Sequence, residues 1–200
     1  MPNKNDILTI AQYLVCRYPG ELTPMKLQKL LYYVKCWSLV AGQPLIDEPF
    51  EAWSYGPVNP DVYHRYKVHG NQPIPALGAA PQVHHDNLVN FIADSYNIYS
   101  ASELSRTTHT EDPWKHVIST GRQNGVIQEN SIMKYYSKQP FAKNFPIQHG
   151  TDYIAPSTNS SAAYFFDMST DEAASMNTYV SIDQYLGIHR EIEERLKQYE

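Results

Sequence analysis

The stretch "TPMKLQKLLYYVKCWSLVAGQP", residues 23–44, constrains the fold more than any other part of the chain. Thr23 can cap a helix N-terminus, Pro24 suits the first helical position, and Gly42 is a natural C-terminal stop. Between them Leu27, Leu30, Leu31, Val34 and Ala41 recur at helical spacing, which predicts a long helix with one apolar stripe. On that reading Lys26, Lys29 and Lys35 face water.

Helical signals recur on both sides. Ile7, Ile10, Ala11 and Leu14 predict a helix over Asp6–Tyr18, ended by Pro19-Gly20. Asn59-Pro60 repeats the cap-and-proline device and opens a short helix, "PDVYHRYKV", that stops at Gly70. Leu88, Phe91, Ile92, Ser95, Ile98 and Tyr99 predict a helix over 86–99, and Ser100-x-x-Glu103 reads as a capping box for another. Asp112-Pro113 is read as the cap for "PWKHVIST", and "NSIMKYYSK" as a further short helix. Strand signals are few: "PFEAWSY", with Phe50, Ala52 and Ser54 on one face, and "VIQ" at 126–128. Residues 71–82, with three prolines, read as a loop. The expected fold class is therefore mainly α with a small β element (α+β). A compact multi-helix domain over 1–140 is followed by an extension, 141–200, that ends in an amphipathic helix from Ser181 and packs on the same domain.

Two hundred residues, 42% apolar and 18% charged, suffice for one ordinary core. No apolar run is long enough to cross a bilayer, and the first residues lack a secretory layout, so a cytoplasmic protein is expected. The net charge of −5 is concentrated late, because residues 151–200 hold nine acidic and three basic side chains. The body is near neutral. It offers no basic face of the kind nucleic-acid binding requires.

The chemistry-bearing residues do not assemble into a catalytic pattern. Asp61 and His64, three apart, can share a helical face, but His64 and His69 are five apart and His84-His85 are adjacent. No three ligands stand at a metal-binding spacing, so neither a metal nor another cofactor is expected. Cys16 and Cys36 form no CxxC pair and lie in apolar helical stretches, where buried thiols are the ordinary outcome. No nucleophile elbow, phosphate loop or zinc-protease motif is present. A non-enzymatic protein is expected. What stands out instead is 16 Tyr, 6 Phe and 3 Trp, side chains that serve either a core or an interface. Trp37, Trp53 and Trp114 are expected in the core.

Several motifs in order carry a resemblance. These are K-L-Q-K-L-L-Y-Y at Lys26–Tyr33, E-A-W-x-Y-G-P-V at Glu51–Val58 and V-Y-H at Val62–His64. L-S-x-x-T-H at Leu104–His109 and P-W at Pro113–Trp114 follow. Over roughly residues 22–138 the chain resembles the Panacea domain, the SocA-like antitoxin family that includes phage-associated GepA-like proteins. The resemblance implies a mostly helical, non-enzymatic domain that neutralises a protein toxin by direct binding. It implies the antitoxin of a type II toxin–antitoxin pair, with toxins that include translation inhibitors of the alarmone-synthetase-like class. An adaptor delivering a bound toxin to an ATP-dependent protease, or a phage-associated regulator, are the alternatives.

On this footing the expected partner-binding residues are Tyr55, His64, Arg65, Tyr66 and His109, with Glu191, Glu193 and Glu194 in the acidic extension. The expected structural signature is Leu27, Leu30, Leu31, Trp53, Gly56, Pro57, Tyr63 and Trp114, with Trp53 and Tyr63 packed against the Leu27–Val34 stripe. The expected partner is a cognate protein toxin, with no membrane and no nucleic acid, and with self-association as a further option.

Overall fold

The structure is a computed structural model and describes residues 5–122 and 124–145. Seven α-helices and one two-stranded sheet make up the described chain, so the expected mainly-α class with a small β element holds. The order is α1 (Ile7–Arg17), α2 (Pro24–Val40), β1 (Glu51–Trp53), β2 (Gly56–Val58), α3 (Pro60–Tyr66), α4 (Asp86–Asn97), α5 (Ala101–Thr110), α6 (Asp112–Ser119) and α7 (Glu129–Tyr136). Short 3-10 turns follow α3 at Lys67–His69 and α7 at Pro140–Asn144.

Local chemistry sets most of the helix starts. Asp6, Thr23 and Asn59 each accept a hydrogen bond from a first-turn amide, at 3.1, 3.3 and 3.1 Å. Pro24 and Pro60 occupy first-turn positions where a missing N–H costs nothing. Ser100 and Glu103 form the reciprocal capping box. One cap differs from expectation. Residue 111, not Asp112, is the N-cap of α6, and Asp112 is already helical. The Glu111 side chain turns inward, where its carboxylate accepts from Tyr33 Oη at 3.1 Å and Tyr136 Oη at 2.6 Å.

The central element is α2. It packs against α1, α3, α4, α5, α7 and β2, and every side chain from Leu27 through Ser38 is buried. Lys29 and Lys35 therefore do not face water: each is 1% exposed. The reason is that α2 is enclosed on all sides rather than along one stripe. A helix so placed must satisfy its polar side chains internally. Its lysine, glutamine and serine side chains do so mostly by tying down the segment that follows, whereas the buried Tyr32 hydroxyl has no hydrogen-bond partner among the described residues. Lys35 Nζ donates to Ile46 O at 2.9 Å and pairs with Glu129 Oε1 at 2.7 Å. Gln28 exchanges two 2.9 Å hydrogen bonds with the backbone of Asn59. Ser38 Oγ accepts from Leu45 N at 3.3 Å. Lys26, at the first turn, is half-buried and donates to Asn97 O at 2.8 Å.

Aromatic residues form the heart of the core. Tyr32, Tyr33, Trp37, Tyr96 and Tyr136 are all essentially buried, with Tyr33 and Tyr96 stacked at 3.7 Å and Trp37 Nε1 donating to Tyr96 Oη at 2.5 Å. Phe141 and Phe145 close the same cluster against Trp37, so the buried core runs to Phe145. Cys36 is buried and Cys16 half-buried, both as free thiols. Burial pushes the Cys36 thiol well above its ordinary range.

The hairpin pairs Glu51 with Val58, Ala52 with Pro57 and Trp53 with Gly56. Phe50 and Ala52 are buried while Ser54, in the turn, is exposed. The expected strand at 126–128 is only a single bridge, Glu51 with Val126, but the backbone around it does line β1: Ala52 N donates to Gly125 O at 2.9 Å and Ile127 N to Phe50 O at 2.8 Å. The expected helix from Ser181 lies outside the described residues.

Candidate functional site

The hairpin turn Ser54-Tyr55 is where separate parts of the sequence meet. Ser105 Oγ on α5 donates to Tyr55 O at 2.9 Å, and Trp114 Nε1 on α6 donates to Trp53 O at 3.0 Å. The His109 ring lies beside the turn, 4.3 Å from that of Trp114 and tilted by 35° to it, with its Nε2 buried and without a hydrogen-bond partner among the described residues. Thr108 Oγ1 lies beneath Gly56, only 2.5 Å from where a Cβ would stand. The L-S-x-x-T-H and P-W motifs, some fifty to sixty residues downstream, thus clamp the turn of the E-A-W-x-Y-G-P-V motif from behind.

Gly56 has a reason to be glycine. Its φ is +98°, and an added Cβ would also meet Lys29 Nζ at 2.8 Å. Lys29 reaches up from α2 and donates to Pro57 O at 2.9 Å. Burial holds its ammonium far below the ordinary lysine range, at about 7, while the charge of Glu111 acts weakly in the opposite sense. His109 is also held below its ordinary value, first by burial and then by the charge of Lys29, with the nearby Ser54 backbone opposing both.

In front of the turn lies an open cleft of about 510 Å³, bounded by the N-terminus of α2, the hairpin and α3. Its walls are aromatic. Trp53 and Tyr63 pack ring to ring at 5.0 Å, and Lys67 Nζ sits 5.7 Å from the Tyr63 ring centre. Tyr55 is 71% exposed, Met25 39% and Tyr63 38%. Three large apolar side chains around one cleft form the kind of surface that protein partners use.

The residues singled out in the sequence fall into distinct places. Leu27, Leu30 and Leu31 are core, and Gly56 and Pro57 are buried at the hairpin. Trp53 and Tyr63 do not pack against the Leu27–Val34 stripe. They pack on each other at the cleft wall, because period two turns Trp53 away from Ala52's buried side. Trp114 is half-buried behind the turn rather than central. Tyr55, His64 and Arg65 are exposed, His109 is half-buried, and Tyr66 is buried at 5%, with its hydroxyl donating to Gln12 at 3.4 Å. Tyr66 shares its helical face with Val62, which points into the core. Glu191, Glu193 and Glu194 lie outside the described residues.

Sequence patterns alone do not point to Met25, Lys29 or Lys67 as site residues. For Lys29 a signal does exist in the run "KLLYYVKCW", residues 29–37: a helix apolar on nearly every side is enclosed, and its two lysines with it. Among the described residues no three His, Cys, Asp or Glu side chains come close enough to hold a metal ion, and no helix is long and apolar enough to cross a membrane.

Comparison with known proteins matches residues 27–86 to the family described as "Antitoxin SocA-like, Panacea domain". That segment supplies most of α2, the hairpin and α3, and with them most of the cleft wall. The chain is also similar to Antitoxin SocA of Caulobacter vibrioides (strain NA1000 / CB15N), with 44% identity over 73 residues. That alignment covers 34% of this chain and 39% of the relative, so the chain spans well under half of the curated protein it matches. No solved structure matches. The enclosed helix, the hairpin and most of the aromatic cleft thus fall within the segment, residues 27–86, that is similar to the SocA-like Panacea domain.

Proposed function

We propose that this chain is the antitoxin of a type II toxin–antitoxin pair and neutralises a cognate protein toxin by direct binding in the cytoplasm. One observation carries the reading: the segment similar to Antitoxin SocA builds most of a cleft edged by Tyr55 and Tyr63, with Met25 beside them and the turn held from behind by hydrogen bonds from Ser105 and Trp114. A rigid, aromatic surface loses little conformational entropy on binding and suits protein recognition rather than turnover. The toxin is a translation inhibitor, of the alarmone-synthetase-like class. Its basic nucleotide- or tRNA-handling groove is complementary to the acidic C-terminal segment that contains Glu191, Glu193 and Glu194. The chain works without a cofactor and without catalysis.

Co-expression with the small protein encoded next to it tests this. The expected result is restored growth and a complex recovered by pull-down, with toxin half-life unchanged or longer. Restored growth with a shortened toxin half-life would replace occlusion by delivery to a protease. Neither rescue nor complex would overturn the reading.

A further inference from the structure

Among the described residues lining the aromatic cleft are two lysines, Lys29 and Lys67, and no carboxylate. Nearby Glu51 is engaged by Trp53, whose Nε1 donates to Glu51 Oε2 at 2.8 Å. Pro24 and Met25 bring the first turn of α2, the positive end of a 17-residue helix, to the same cleft. Lys29 is 1% exposed, and its one hydrogen bond among the described residues, to Pro57 O, leaves two ammonium donors unused. A buried cation with spare donors is costly to the fold, and an incoming anion would relieve that cost.

We infer that this cleft receives a segment of the partner protein carrying one Asp or Glu between apolar side chains: the carboxylate goes to Lys29 and Lys67, and the apolar neighbours to Trp53, Tyr55, Tyr63 and Met25. The inference rests on the antitoxin reading for the existence of a protein partner. Charge complementarity selects this occupant. The positive lining opposes a basic segment, and a wholly apolar one would leave Lys29 as poorly satisfied as before.

The probe is a phage-displayed library of random heptapeptides, panned against the full chain and against three variants. Lys29→Met removes the buried cation, Lys67→Glu reverses the exposed one, and Lys138→Glu makes the same reversal on an exposed residue outside the cleft. The expected selection has one acidic position flanked by apolar residues. The synthesised consensus should bind at least tenfold more weakly to Lys29→Met and Lys67→Glu, and equally well to Lys138→Glu. Replacing its acidic residue by the amide should cost the same.

A consensus with no acidic position, no enrichment, or equal loss with Lys138→Glu would overturn the inference. Selection of sequences matching this chain itself would overturn it too, by naming a second copy or an internal segment as the occupant. Growth rescue from the adjacent toxin is scored separately. Rescue without acidic selection sinks this inference alone, whereas acidic selection without rescue sinks the antitoxin reading alone.

Discussion

Lys29 Nζ lies 2.9 Å from the carbonyl oxygen of Pro57, and that contact joins the central helix to the hairpin that shapes the cleft. It places an ammonium where the fold would be better served by a methionine.

Lys29→Met should therefore stabilise the protein. The folded-state pKa of about 7 is below the unfolded value of 10.5, so at pH 7 and below the charged form opposes folding. Each tenfold loss of proton affinity on folding corresponds to about 1.4 kcal/mol, against which the lost Pro57 hydrogen bond costs about 1–3 kcal/mol. A net gain of about 1–3 kcal/mol at pH 7 is expected. Between pH 7 and 10.5 the unfolded chain holds the Lys29 proton more tightly than the folded one, so the wild type gains stability from this group as pH rises. The advantage of the methionine variant should shrink across that window. Urea denaturation at pH 7 and pH 10 measures it; an advantage independent of pH would contradict the assignment.

Gly56→Ala should destabilise by about 2–4 kcal/mol, since the added methyl meets Thr108 Oγ1 and Lys29 Nζ at a residue with positive φ. Gly20→Ala, also at positive φ but with open space around it, should cost about 1 kcal/mol. Thermal melts of the two variants compare packing with backbone strain.

Glu111→Gln should cost about 1–3 kcal/mol, because its carboxylate accepts from two buried tyrosine hydroxyls and an amide replaces one acceptor by a donor. Tyr33→Phe and Tyr136→Phe in the Gln background should then be cheaper than in the wild type. A double-mutant cycle on denaturation free energies reads the coupling.

Much of this fold was legible in the sequence. Asp6, Thr23, Asn59 and Ser100 marked their helix starts by local chemistry, which acts within three residues. What was not legible depends on distant neighbours. Which elements enclose Lys29 and Lys35 depends on helices as far apart in sequence as α1 and α7, and the inward turn of Glu111 requires Tyr33 and Tyr136. The same holds at the site. Tyr55 stands exposed as a turn residue does, but periodicity alone could not tell that Tyr66 is buried while Tyr63, three residues before it, forms a cleft wall. The clamp of Ser105 and Trp114 on the turn was visible only as motifs without a shared purpose.

Tyr55→Ala separates binding from folding most directly. The side chain is 71% exposed and the clamp on the turn uses its backbone carbonyl, so stability should change by no more than about 0.5 kcal/mol. Titration of the purified adjacent toxin with the full chain, wild type against Tyr55→Ala, is the deciding measurement. A complex is expected for the wild type and at least tenfold weaker binding for the variant, with unchanged melting temperatures. Equal affinity of the two proteins for the toxin would contradict the cleft as the binding surface.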